Sequence, residues 1–152
     1  MKRLLLCASL LGLAFACNTA FAAKAAKPSV QVHGHTFSTE FALDDASREH
    51  GLMNRTVLAP DHSMLFVFGD SEPRYFWMKN TLIPLDILYF DKDRKLIHIT
   101  ADAAPCKADP CAVYPSYGSA QYVLELAGGV AAKSGLQVGD EMTIIGDISG
   151  VH

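Results

Sequence analysis

YFWMKNTLIPLDILYF, residues 75–90, is a strongly apolar segment that nevertheless carries Lys79, Asn80 and Asp86. If residues 74–80 are extended, Tyr75, Trp77 and Lys79 share one face and Phe76, Met78 and Asn80 the other. Pro84 has no N–H to give a sheet and keeps Ile83 extended. Residues 80–84 therefore read as a bend between two strands, with Lys79 and Asn80 at its mouth and Asp86 just past it. Asp86 lies between Leu85 and Ile87, and a carboxylate buried there needs a partner.

Outward from this bend the pattern stays strand-like. Val30 and Val32 alternate with polar residues, His33-Gly34-His35 reads as a turn, and Phe37, Thr39, Phe41 and Leu43 continue the alternation. Asp44 or Asp45 is placed to cap a short helix that Gly51 ends. SMLFVF (63–68) reads as a buried strand, Gly69 to Pro73 as a turn, and Arg74 to Met78 as a further strand. Leu85 to Phe90 and Lys95 to Thr100 flank a polar hairpin connection. Asp102 to Ser119 reads as a long loop, Gln121 to Leu126 as a strand, and Gly128-Gly129 as the start of a second short helix. A closing strand follows the turn at Gly139-Asp140. No glycine-rich phosphate loop leads from a strand into a helix. The expected fold is mainly β, a compact small β-barrel-like domain with two short helices.

The N-terminus sets the compartment. Met1-Lys2-Arg3 precedes an apolar run, Leu4 to Ala16, and Ala20-Phe21-Ala22 offers a signal-peptidase site. Residues 1–22 read as a cleavable signal peptide and 23–29 as a flexible lead-in, leaving one globular domain over 30–148. The run is shorter than the roughly 18–20 residues a membrane span needs, so no stable insertion is expected after cleavage. Lipidation at Cys17 is disfavoured by the bulky Phe15. Removing 22 of 152 residues takes away Lys2 and Arg3 and moves the formal charge from −3 to −5. A moderately acidic exported domain, periplasmic or secreted, is a poor partner for nucleic acid, and a monomer is expected.

Cys106 and Cys111, in CKADPC, are too widely spaced for a C-x-x-C redox centre. In an oxidising compartment they read as a structural disulfide. Two thiols alone do not complete a zinc site.

GLMNR (51–55), MLFVF (64–68), FWMKNTLIPLD (76–86), YVLEL (122–126) and GLQVGD (135–140) together resemble the domain of unknown function 192 family. The resemblance covers roughly Val30 to Ile145. It implies a small, mainly β, exported domain and brings no established activity, so chemistry has to come from the residues.

The polar cluster at the bend has two readings. In the plainer one Asp86 accepts backbone N–H groups of the bend or pairs with Arg55 or Lys79, and Asn80 satisfies the turn. In the functional one Trp77 is an apolar wall, Arg55 and Lys79 are cationic ends, Asn80 donates and accepts, and Asp86 orients them. That reading gives a non-catalytic binding domain for an anionic small molecule or chain terminus, with a peptide or glycan as alternatives and no cofactor. An enzyme using Lys79 and Asp86 as acid and base is a second reading. It has no supporting Ser-His-Asp order or H-E-x-x-H. A third is Cu(I) handling by Met53, Met64, Met78, His50 and His62, since thioethers and imidazoles suit that ion. The methionines read as well as core fillers.

Overall fold

The computed structural model describes residues 27–151. The signal-peptide reading, with Cys7 and Cys17, lies outside them. Among the described residues the order is β1 (Ser29–Val32), β2 (His35–Ala42), α1 (Asp45–His50), β3 (His62–Trp77), β4 (Leu85–Phe90), β5 (Leu96–Ala103), β6 (Val113–Ala127), α2 (Val130–Lys133) and β7 (Met142–Ile145). The strands make one sheet in the order β5-β4-β6-β3-β2-β1-β7, antiparallel except where β2 lies beside β3. The sheet curls until its outer strands meet at one end. Lys95 bridges Glu141 there, and the Met142 N–H donates to the Arg94 carbonyl at 2.9 Å. This is the expected mainly β, barrel-like architecture with two short helices.

Both faces of the central strands are buried, which is why they read as continuous apolar runs. Leu65, Val67, Leu88, Phe90, Leu124 and Leu126 fill one side with Val30, Phe37 and Met142. Met64, Phe66, Ile87, Tyr89 and Val123 fill the other with Leu52, Leu58, Met78 and Leu85. A polar residue in these strands has no solvent face to occupy, and Asp86 and Glu125 are both caught in this way.

Local chemistry sets the ends of α1. The Asp44 carboxylate accepts from the Ser47 N–H at 2.8 Å, and the Ser47 hydroxyl accepts from the Asp44 N–H at 3.2 Å. This capping box fixes the start of the helix. Gly51 ends it at φ 48°, ψ −128°, a conformation that glycine alone adopts readily.

Two expectations are corrected. Gly69 to Pro73 is not a turn: β3 passes straight through, with its pairing to β6 shifted between Val67 and Glu72. The bulge absorbs the glycine and proline that locally signal a turn. The long loop expected over 102–119 shrinks to 104–112, because β5 continues to Ala103 and β6 starts at Val113. Pro115 is accommodated in the part of β6 that pairs with β3 alone. Ser29 is in β1, the Pro28 carbonyl accepts from the Thr39 N–H, and Val151 packs on the core.

Candidate functional site

The bend after β3 forms as the sequence implies. Asn80 takes φ 56°, a conformation asparagine tolerates, and the Thr81 N–H donates to the Met78 carbonyl at 3.1 Å. The Asn80 carbonyl accepts from the Asn54 N–H at 2.8 Å. That bond ties the bend to the segment following α1 and brings the end of β3 opposite the last turn of the helix.

Between them lies an open depression of about 380 Å³, lined chiefly by Glu49, His50, Met53, Trp77, Lys79 and Asn80. Trp77 is 48% exposed and forms an aromatic wall. The Lys79 Nζ lies 5.3 Å from the centre of the Trp77 ring, within cation–π range. Asn80 Nδ2 approaches the Met53 sulfur at 3.8 Å. The sequence reading placed Trp77, Lys79 and Asn80 together, and they are together.

A second, narrower space of about 30 Å³ shares Glu49, His50, Met53, Trp77 and Lys79 with the depression. It passes Phe66, Phe76 and Thr81 to reach Glu125 on β6. Glu125 is 5% exposed, and its Oε2 has no hydrogen-bond partner among the described residues. Burial pushes its carboxyl up to about 8, so it is mostly protonated at pH 7. Sequence reasoning missed this residue. Its signal was the acid inside YVLEL, an interruption of an apolar strand of the same kind as Asp86 in PLDIL.

Arg55 and Asp86 do not join the depression. Arg55 forks onto Glu40, with Nη1 2.6 Å from Oε1, and His62 Nε2 meets the same carboxylate at 2.8 Å. The Arg55 hydrogen bond is the main reason the Glu40 carboxyl falls to about 2. Asp86 is fully buried and pairs with neither Arg55 nor Lys79 nor the bend. Its carboxylate accepts from the Asp102 N–H at 2.8 Å, the Gly129 N–H at 3.0 Å and the Ala131 N–H at 2.7 Å. It joins β4, the end of β5 and the first turn of α2. Gly128 packs closely beside it: a Cβ there would stand 2.5 Å from Asp102 Oδ1 and 3.2 Å from the Pro84 carbonyl oxygen. Asp86 is therefore a structural anchor, unavailable as an acid–base partner for Lys79.

The methionine–histidine set is dispersed. Met64 and Met78 are buried in the core, Met53 and His50 line the depression, and His62 is engaged with Glu40. Cys106 and Cys111 form a disulfide, so their sulfurs are bonded to each other in the cluster they make with Asp109.

The curled sheet, closed at one end and bearing an open depression between α1 and the end of β3, defines a small β domain with a ligand-sized concavity. Residues 28–144 match the profile of DUF192, described as uncharacterized ACR, and the chain belongs to that family. It is similar in structure to a Sinorhizobium meliloti 1021 protein named as a candidate transcription regulator. The identity is 38%, the match covers 80% of this chain and 96% of that one, and the TM-score is 0.72. It is also similar to a protein of unknown function from Novosphingobium aromaticivorans DSM 12444, at 32% identity, 87% and 99% coverage and a TM-score of 0.70. No curated protein matches the chain.

Proposed function

We propose that this is an exported, non-catalytic binding domain whose site is the depression walled by Trp77. The observation that carries the reading is the combination of its volume, about 380 Å³, with a half-exposed indole and the Lys79 ammonium beside it. Ligand sites are commonly concave, largely apolar and furnished with a few polar groups, at about 300–1,000 Å³. An apolar portion of the ligand stacks on Trp77, and an anionic group, on a small molecule or a chain terminus, approaches Lys79. With Arg55 committed to Glu40, Lys79 is the cation left for that role. The disulfide supports an oxidising compartment. Among the described residues no helix is long and apolar enough to cross a membrane. The formal charge of −3 argues against nucleic acid as the partner.

The test is a thermal-shift screen of small carboxylates and short N-acylated amino acids. The substitution Lys79→Met should abolish the ligand-induced rise in Tm while leaving the ligand-free Tm almost unchanged. A large loss of ligand-free stability would instead make Lys79 structural.

A further inference from the structure

The narrow space adjoining the depression reaches a carboxyl group, that of Glu125. Glu125 Oε2 is buried and makes no hydrogen bond among the described residues. A group in that state is costly to a fold and calls for an explanation. The Tyr89 hydroxyl, on the neighbouring strand, donates to the Tyr114 carbonyl at 2.8 Å. The Arg48 guanidinium, which also borders the space, donates to the Leu43 and Val67 carbonyls and to Asp45.

The shape and lining limit what fits. About 30 Å³ holds two water-sized groups at roughly 15 Å³ each, so only a small terminal group of a ligand reaches Glu125. The walls set Leu52, Met53, Phe66, Phe76 and Trp77 beside Arg48, Glu49, His50, Thr81 and Lys79, so a full charge entering loses hydration and meets a like-charged neighbour whichever its sign. Lys79 and Arg48 further disfavour a second cation. A protonated carboxyl presents one donor and one acceptor side by side. The matching edge is that of an amide, which offers the same pair reversed.

We propose that Glu125 is the deep contact of the binding site, pairing through its carboxyl with a neutral amide group of the ligand that enters from the Trp77 depression. This rests on the binding reading above and makes it more specific. The ligand then carries an amide at one end and an anionic group that stays outside, near Lys79.

The experiment uses the folded chain labelled with 13C at glutamate carboxyls and 15N at the indole of Trp77. The Glu125 carboxyl signal is assigned by its absence in Glu125→Leu. Three probes, acetamide, acetate and methylammonium, are titrated separately, and the Glu125 pH midpoint is measured with and without each. The titratable or charged groups around it are Arg48, Glu49 and His50 of α1, Lys79 after β3, and Tyr89 of β4. Acetamide should shift the Glu125 signal saturably and move its midpoint upward, because it binds the protonated form; acetate and methylammonium should not. In the variants the readout is the Trp77 indole, which borders the same space: its saturable shift with acetamide should be lost in Glu125→Leu and kept in Glu125→Gln, whose amide retains a donor and an acceptor. If methylammonium binds instead and lowers the midpoint, the amide assignment is overturned. If acetamide leaves Glu125 unmoved while acetate perturbs the Trp77 indole, the deep contact falls and the depression stands as a site. If no probe moves either signal, both readings fall.

Discussion

Asp86 and Glu125 sit on neighbouring strands, where Asp86 faces Leu126 and Ile87 faces Glu125 in the β4–β6 register. They point to opposite sides of the sheet and meet opposite circumstances. Asp86 collects three backbone N–H groups, so the isosteric change Asp86→Asn replaces one acceptor by a donor facing an N–H. That change should destabilise the protein by about 3 kcal/mol, read as a lower urea midpoint with an unchanged m-value. Both acids are legible in the sequence as carboxyls that an apolar strand cannot expose. Their partners are not. Those of Asp86 come from 16, 43 and 45 residues further along, brought in by β5 and α2. Lys79, Trp77 and Asn80 were legible as a group because they are nearly contiguous and one bend places them. Arg55 looked like a fourth member only because nothing local ties it to Glu40, its partner from 15 residues earlier.

At the scale of elements, α1 is short, and its position depends on how it ends. Gly51 leaves the helix at a positive φ, and a Cβ there would lie 3.1 Å from Cζ of the Phe66 ring. Backbone strain and crowding therefore act together in Gly51→Ala, which should cost about 1–3 kcal/mol in chemical denaturation. Because Glu49 and His50 immediately precede the glycine, the same variant should also weaken the Trp77 response to any ligand of the depression. The helix was readable from its caps, which are local. The long β3–β6 pairing was not, because its glycine and prolines carry turn signals that a partner strand overrides. Arg74 is the clearest agent of that override. Its guanidinium lies 3.9 Å over the Phe68 ring, its Nε–H donates to the Ala120 carbonyl at 3.0 Å, and its backbone N–H donates to the Ser116 hydroxyl at 2.9 Å. None of these contacts is visible in a window of a few residues around Gly69 to Pro73.

For the molecule as a whole, shifted groups divide the pH scale into regions of opposite slope. The Glu40 carboxyl, held down to about 2 mainly by Arg55, contributes stability that is present above the ordinary glutamate range and lost as pH falls toward 2. Asp44, Asp140 and Asp147, each also lowered, act in the same direction on the acid side. The His98 imidazole is lowered by burial, so the unfolded chain takes up its proton first and stability falls as pH drops below about 6.5. Glu125 has the reverse sign. Its folded value of about 8 lies above the unfolded one, so below the ordinary range both states are protonated and no penalty applies. As pH rises from there, the unfolded chain releases the proton while the fold retains it, and stability falls until about pH 8. Between roughly pH 6.5 and 8 the histidine contribution has levelled off and the Glu125 contribution is still growing. In that window the unliganded protein should lose up to ~1.4 kcal/mol per pH unit, the limit for a single proton. Glu125→Leu should flatten this limb and, by removing an unpartnered buried polar group, raise stability at pH 7 by roughly 1–3 kcal/mol. Urea denaturation of the two proteins across pH 6.5–8 measures the difference directly. Parallel limbs would mean that Glu125 is solvated within the fold, and its proposed role as the deep contact would lose its physical basis.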